Sequence, residues 1–217
     1  METATSKSSP PAARVAVLAV GGKKRARAAI VALALAAAGC GANGPASRGG
    51  GSDVGGRAFA WLVPEAAPAD WPVATIPDGA AMPYPPHWRR VNGDPGTATA
   101  VLSDPHHPFL GYLNVTPRQG EETPANWTTF RVAHNADEGD RRVATLAAAD
   151  GLRFRTGAGA CVNDAYTTSA GVRYVELACL VSGSRGGSVI VGAAPASAWK
   201  TISPLLERAI SAFTTAT

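Results

Sequence analysis

Residues 161–194 read CVNDAYTTSAGVRYVELACLVSGSRGGSVIVGAA and contain three strand-like runs separated by two short turns. In the middle run Val175, Leu177, Cys179 and Val181 recur at every second position, which is the period of a strand with one buried face. Strands joined by such short turns pair in antiparallel fashion, so this stretch predicts a three-stranded meander. The three runs are residues 161–168, 172–182 and 188–194.

Two hairpins are predicted upstream of the meander. Residues 97–103 and 109–116 alternate in polarity and flank a turn that contains proline and histidine, so they form the first hairpin. Residues 141–147 and 152–156 flank Asp150-Gly151, a dipeptide typical of a two-residue turn, so they form the second. These strands are expected to extend the sheet that contains the meander.

A first helix is predicted between the two hairpins. Thr123-Pro124 is typical of a helix start and Gly139 of a helix end, so the helix is expected to run to about residue 135. Three residues between these signals recur at helical spacing and define one face, namely Trp127, Phe130 and His134.

A second helix is predicted at the end of the chain, where an apolar stripe follows one face. Pro204 falls within the stripe, so it either kinks the helix or allows Ser203 to cap a fresh start. The order of strands, helix, strands, helix predicts an α+β domain in which an antiparallel sheet packs with two main helices. The stripe consists of Trp199, Ile202, Leu206, Ala209, Ile210 and Phe213.

The N-terminal region has the pattern of an export leader. Four basic residues within 23–27 precede the uncharged run 28–38, whose 11 residues suit a signal peptide and are too few to span about 30 Å of hydrocarbon. The run ends in LAAAGC at residues 35–40, which resembles the lipobox of bacterial lipoproteins. Cys40 is therefore expected to carry acyl chains such as palmitate and to act as a lipid anchor. The alternative is an ordinary secretory signal peptide, in which Cys40 is incidental.

Removal of residues 1–39 changes the charge of the protein. The leader holds six of the 20 basic residues and one of the 16 acidic ones. Residues 40–217 therefore have 14 basic and 15 acidic residues, and a net charge of −1 instead of +4. Nucleic-acid binding loses the support that a basic chain would give it.

The rest of the chain divides into a tether and one domain. Residues 40–57 are rich in glycine and serine and cannot bury enough apolar surface to fold, as expected of a tether. Residues 58–217 are expected to form a single extracytoplasmic domain with an ordered core from about 70–217, which is long enough for one core. The Pro-rich residues 64–86 are expected to pack on this domain as irregular chain.

Cys161 and Cys179 form an even pair once Cys40 carries lipid, and such a pair in an exported chain favours a disulfide. If residues 169–171 form the turn, the numbers of paired positions add up to 340, and the two cysteines face each other. Opposed residues have Cβ atoms about 4.5–5.5 Å apart, so a modest adjustment suffices for the bond. The alternative is a redox or metal pair, which lacks Cys-x-x-Cys spacing and a nearby set of histidines.

Motifs of the common enzyme classes are absent from the sequence, including the nucleophile elbow, the phosphate-binding loop, the dinucleotide fingerprint and the zinc-protease motif. We interpret His106 and His107 as solvated turn residues rather than metal ligands, and His134 as a packing or capping residue. No cofactor or metal is expected. Glu121 and Glu138 stay open as an alternative carboxylate pair for acid–base chemistry.

Two polar segments, residues 118–122 and 137–142, either line a cleft or form solvated loops with weak charge pairing. A second open question concerns the aromatic residues that border irregular chain. These either pack on the domain or contact a partner or sugar, and they are Trp61, Trp71 and Trp88.

The order of motifs resembles that of a known family. A Pro-x-x-Trp motif lies in YPPHW at residues 84–88, and GYLNVTP follows at 111–117, before the Trp-bearing helix, the Cys-bearing meander and the final helix. This resembles small actinobacterial lipoproteins whose domain is related to the PsbP subunit of photosystem II. The resemblance covers about residues 70–217. It implies a PsbP-like α/β/α sandwich and a binding or accessory role, and it carries over no functional residue.

Three functions are compatible with these observations. The first, our working hypothesis, is a non-catalytic lipoprotein that binds or supports a partner at the outer face of the cytoplasmic membrane. The second is a carrier that holds a lipid or glycan between the sheet and a helix. The third is a hydrolase with a site built on Glu121 and Glu138. The expected partners are the membrane, through lipid on Cys40, and an envelope protein, lipid or glycan, but no nucleic acid.

Overall fold

The computed structural model describes residues 57–105 and 109–217. The predicted leader, Cys40 and almost all of the predicted tether lie outside the described residues. The elements of the described part are, in order, β1 (Val73–Thr75), β2 (Ala81–Pro83), β3 (Arg89–Val91), β4 (Ala98–Leu102), β5 (Gly111–Pro117), α1 (Trp127–Asp137), β6 (Arg141–Arg153), β7 (Ala158–Thr167), β8 (Arg173–Val181), β9 (Ser188–Pro195) and α2 (Trp199–Ser211).

Seven of the strands form one antiparallel sheet in the order β3-β4-β5-β9-β8-β7-β6, and β1 pairs with β2 in a separate small sheet. The predicted meander is confirmed as β7, β8 and β9, and the first predicted hairpin as β4 and β5. The pairing of β5 with β9 joins the hairpin to the meander and makes the sheet continuous.

The sheet has a helix on each face. On one face Leu206 of α2 packs with Ile190 and Leu177 in the larger apolar cluster, which also contains residues of β1 and β2. On the other face Trp127 of α1 packs with Leu180 in a smaller cluster. The α+β class is therefore confirmed, with the antiparallel sheet between helices.

The contact between the sheet and α2 is close. A Cβ atom placed on Gly192 of β9 would lie 3.2 Å from Cβ and Cδ2 of Leu206, so the helix rests directly on the strand backbone. At the start of β5, the ring of Trp88 lies 2.6 Å from the position of a Cβ on Gly111. A Cβ on Gly111 would force the Trp88 ring to shift, whereas a Cβ on Gly192 would require Leu206 to give by a few tenths of an ångström.

The second predicted hairpin is wrong. The Asp150-Gly151 dipeptide lies within β6, which runs unbroken from Arg141 to Arg153, and the register of β6 against β7 shifts between Ala149 and Leu152. Gly151 has φ +63°, so the conformation that suits a tight turn is used here for a β-bulge. The true connection to β7 is a turn in which the Phe154 N–H donates to the carbonyl of Gly157.

Both predicted helices are present, but the first begins later than predicted and the second contains Pro204 in its interior. α1 begins at Trp127, because Thr123 and Asn126 first form a separate turn through reciprocal side-chain to backbone hydrogen bonds. Gly139 ends the helix as predicted, with φ +94° and its N–H bonded to the carbonyl of Ala136. In α2, Pro204 lies inside one continuous helix, so of the two alternatives for this residue the fresh start at Ser203 is excluded.

The Pro-rich segment packs on the domain but is more ordered than predicted. Strands β1 and β2 lie within it, and β3, which follows it, forms an edge of the large sheet. The apolar core reaches back to Phe59, which is 3% exposed. The packed part of the chain therefore starts about ten residues before the predicted ordered core.

Cys161 and Cys179 lie opposite each other on β7 and β8, in the register in which paired numbers add up to 340. Their Cα atoms are 4.1 Å apart and a disulfide joins them. Both residues are fully buried in the larger apolar cluster. The bond therefore fixes the register of two central strands from inside the core.

Replacing both cysteines by alanine is expected to lower the free energy of unfolding by about 3 kcal/mol, because the bond closes a loop across 18 positions. The measurement is urea unfolding of the parent and of the Cys161→Ala/Cys179→Ala variant. A reductant should lower the midpoint of the parent and leave the variant unchanged. An unchanged parent midpoint would contradict the disulfide.

In the described ranges, the helices are too short or too polar to cross a membrane.

Candidate functional site

Five polar residues lie between α1 and the sheet, and together we call them the buried cluster. The sheet contributes its residues from β7 and β8, and α1 contributes two from the side that covers those strands. The Trp127 indole N–H anchors the start of the helix by donating to the Ala178 carbonyl at 2.9 Å. The members of the buried cluster are Arg131, Asn135, Asp164, Tyr166 and Glu176.

A two-point ion pair is the centre of the buried cluster. Nε and an Nη of Arg131 donate to the two carboxylate oxygens of Glu176 at 2.6 and 2.8 Å. The Glu176 side chain is 2% exposed and that of Arg131 is 13% exposed. Such a fork geometry satisfies both carboxylate oxygens, so the Glu176 charge is matched although it is removed from water.

Asp164 is a second carboxyl group in the buried cluster, directly opposite Glu176 in the ladder between β7 and β8. It is fully buried, its Oδ2 accepts a hydrogen bond from the Asn135 amide at 3.2 Å, and its Oδ1 has no partner among the described residues. Burial first, and the Glu176 charge second, raise the pKa of Asp164 to about 8. Arg131 opposes this shift only in part. Asp164 therefore holds a proton at neutral pH.

Tyr166 and Tyr112 border the charged groups. The Tyr166 hydroxyl donates to Glu176 Oε2 at 3.4 Å, and its ring stacks on Tyr174 of the neighbouring strand. Burial raises the pKa of Tyr166 well above its usual value, and it raises that of Tyr112 on β5 to about 12. Both phenols therefore stay neutral and serve as hydrogen-bonding groups rather than as bases.

The sequence contains a signal for this cluster. Asp164 and Glu176 add up to 340, so the register that pairs the two cysteines also places two carboxyl groups opposite each other. Like charges opposite each other are destabilising in a sheet unless a cation or a proton compensates for them. Arg131 is the one permanent cation of α1, and it supplies that compensation.

The two carboxyl groups of the buried cluster are closed off from solvent. Asp164, Glu176 and Asn135 are 0%, 1% and 3% exposed, so α1 shields them from solvent. Catalytic acids and bases need contact with the group that they protonate or deprotonate. The arrangement therefore ties α1 to the sheet through matched polar contacts.

The alternative carboxylate pair is not brought together. Glu121 lies on an exposed loop before α1, and Glu138 is the C-terminal cap of the same helix. The 11 residues between these ends correspond to about 16 Å of helix. The two groups are therefore too far apart to act on one bond, and Glu122, not Glu121, is the buried carboxylate of that loop.

Neither His87 nor His134 belongs to a metal centre among the described residues. His134 stacks on Phe130, and its Nε2 lies 3.7 Å from Oε1 of Glu138. Burial, followed by the Arg131 charge, lowers the pKa of His134. His87 is exposed, while His106 and His107 lie outside the described residues. Across residues 57–105 and 109–217, His, Cys, Asp and Glu form no group of three suited to a metal ion.

The tryptophans that border irregular chain pack on the domain. Trp88 is 5% exposed and belongs to the larger apolar cluster, and Trp61 and Trp71 are half-buried against it.

Of the two polar segments, 137–142 borders a cleft of about 310 Å³ lined by Arg141, Arg142 and Thr167. The other segment, 118–122, forms a turn with an internal hydrogen bond, in which the Gln119 N–H donates to the Glu122 carboxylate at 2.8 Å.

The fold and the buried cluster define an α+β domain with a seven-stranded antiparallel sheet and a helix on each face. A buried ion pair holds one of these helices, α1, on the sheet. No protein-family model matches the sequence, and no curated protein matches it.

Similar folds occur among solved structures. PsbP (CyanoP) of the cyanobacterium Synechocystis sp. PCC 6803 has 17% identity and a TM-score of 0.47, covering 69% of this chain and 94% of that chain. The Ran-binding protein Mog1p of Saccharomyces cerevisiae has 11% identity and a TM-score of 0.46, covering 67% and 95%. LpqN of Mycobacterium tuberculosis, involved in cell envelope biogenesis, has 14% identity and a TM-score of 0.41, covering 66% and 89%. At these identities the likeness extends to the fold alone.

Proposed function

We propose that the protein is a lipid-anchored, non-catalytic binding protein of the cell envelope, held through Cys40 at the outer face of the cytoplasmic membrane. The observation that carries this proposal is the disulfide between Cys161 and Cys179, buried in the core. Stable structural disulfides belong to oxidising compartments outside the cytosol. The leader and lipobox pattern of residues 23–40 supports export independently.

The packing of the domain favours binding at its surface over transport of a ligand inside it. Leu206 lies directly against β9 on one face of the sheet, and Trp127 with the Arg131–Glu176 pair fills the space under α1 on the other. A carrier that held a lipid or glycan between the sheet and a helix would have to displace these contacts. The separation of Glu121 from Glu138 likewise removes support from the hydrolase hypothesis.

Cys40→Ala is expected to move the protein from the membrane fraction to the fraction released from the cell envelope, because loss of the thiol removes the site of acylation. The measurement is fractionation of the producing cells, with mass spectrometry of the mature N-terminus. Gly39→Ala is the matched control, since it keeps a small residue before the cysteine, and it should stay with the membrane. Retention of Cys40→Ala in the membrane would refute the lipid anchor.

The binding role is tested on the same membranes. Crosslinking of the full chain, followed by identification of the attached molecules, should yield an envelope component that is absent when the protein is omitted. Turnover of envelope substrates that is lost in Glu138→Gln would overturn the non-catalytic proposal.

A further inference from the structure

Arginine and threonine side chains form a row across one end of the sheet. Arg141 of β6 is paired with Thr167 of β7, and Thr167 is paired with Arg173 of β8. Paired residues of neighbouring strands project from the same face, and strands lie about 4.8 Å apart. Two arginines thus flank one hydroxyl group from positions about 10 Å apart.

A neighbouring arginine is turned toward the same place. Consecutive residues of a regular strand point to opposite faces, so Arg141 and Arg142 would normally diverge. Arg142 instead has φ +55°, and the register of β6 shifts directly after Arg141. Both arginines consequently border the same cleft of about 310 Å³, together with Thr167. A bulge that redirects a side chain at the cost of backbone strain is typical of a functional position.

The arginines in and beside this cleft form no ion pair within the described part of the chain. Arg141, Arg142 and Arg173 are exposed, and no carboxylate of residues 57–105 or 109–217 forms an ion pair with them. The domain as a whole carries about as many acidic as basic residues. The cleft is therefore a local concentration of cations rather than part of a uniformly basic surface.

We propose that the cleft lined by Arg141, Arg142 and Thr167, with Arg173 on the neighbouring strand beside it, binds a phosphate group. Guanidinium groups match the oxygens of phosphate in pairs, and the threonine hydroxyl supplies a further donor between them. The phosphate belongs either to the headgroup of an anionic phospholipid or to a free phosphate compound. The phospholipid source rests on the proposed function, which places the domain near a membrane, whereas phosphate recognition itself does not.

The first experiment measures binding of inorganic phosphate to the full chain by calorimetry. Arg141→Ala/Arg142→Ala is expected to weaken binding at least about tenfold, because two charge-assisted contacts are lost. Arg153→Ala/Arg155→Ala is the matched control: it removes two exposed arginines at and just beyond the other end of β6, and should change affinity less than about twofold.

Loss of binding in the control equal to that in the cleft variant would overturn the proposal, as would a parent protein that binds no phosphate. Thermal unfolding checks that each variant folds. Arg173→Ala keeps the edge strand intact, so it tests the same cleft if the double variant fails to fold, and it should weaken binding about fivefold or more.

The second experiment distinguishes the source of the phosphate with vesicles of phosphatidylglycerol mixed with phosphatidylcholine. All variants share one N-terminus, so the difference between the cleft variant and its control isolates the cleft from the leader and the anchor. A weaker vesicle affinity of the cleft variant alone assigns a phospholipid headgroup. Equal vesicle affinities, combined with the calorimetric difference, assign a free phosphate compound. The Cys40→Ala fractionation is independent of both outcomes.

Discussion

Arg131→Met is expected to lower the free energy of unfolding by about 3–5 kcal/mol, measured by urea unfolding at pH 7. The substitution leaves the buried Glu176 carboxylate without its cation, beside a second carboxyl group on Asp164. Methionine retains much of the arginine volume, so the loss reports the missing charge more than missing packing. Arg153→Met removes an exposed arginine of β6 and should cost less than about 0.5 kcal/mol.

The double variant Arg131→Met/Glu176→Met separates charge from packing. Replacement of both members removes the uncompensated anion, so we expect it to recover at least about half of the stability lost in the single variant. If the double variant is as unstable as Arg131→Met alone, the ion pair does not hold α1 through its charge, and the contact of α1 with the sheet depends on shape alone.

The stability of the protein is expected to fall as the pH rises from about 4 to about 8 because of Asp164. Its pKa is raised from 3.8 to about 8 in the folded state, so the folded chain retains a proton that the unfolded chain releases. The contribution of that proton is complete below pH 3.8 and is lost as the pH rises to about 8. One proton corresponds to about 1.4 kcal/mol per pH unit within this window.

Asp164→Asn isolates this contribution. Asparagine imitates the protonated carboxyl group, so the variant should gain stability relative to the parent between pH 5 and 7 with the slope given above, shown by urea unfolding at each pH. Asp150→Asn, which removes an exposed carboxylate of β6, is the control and should show no such slope. A constant difference between Asp164→Asn and the parent would mean that Asp164 is already ionised in the folded state.

The meander, the first hairpin and the register of the cysteines could be predicted because local signals determine them. A three-residue turn at 169–171 fixes every pair between β7 and β8, including Cys161 with Cys179. Asp150-Gly151 misled for a physical reason. The dipeptide supplies a residue with positive φ, and both a tight turn and a β-bulge use that conformation. Only the neighbouring strand decides between the two.

The buried cluster was harder to predict because its members are polar. Arg131 is 45 positions from Glu176, and polar residues alternating along β7 and β8 are typical of a solvent-facing side. Their burial depends on α1 lying across that side, which no local signal states. The bulge at Arg142 was equally hard to predict from the sequence, since its φ of +55° is a property of the finished edge strand and not of arginine.

The two edge strands of the seven-stranded sheet affect whether copies of the protein can associate through their strands. One edge is β3, with three residues, and the other is β6, whose register against β7 is interrupted at three places. A neighbouring molecule that approached either edge would find too few evenly spaced N–H and C=O groups to continue the ladder. Dense populations of the protein should therefore stay as separate molecules instead of joining through their strands into fibres.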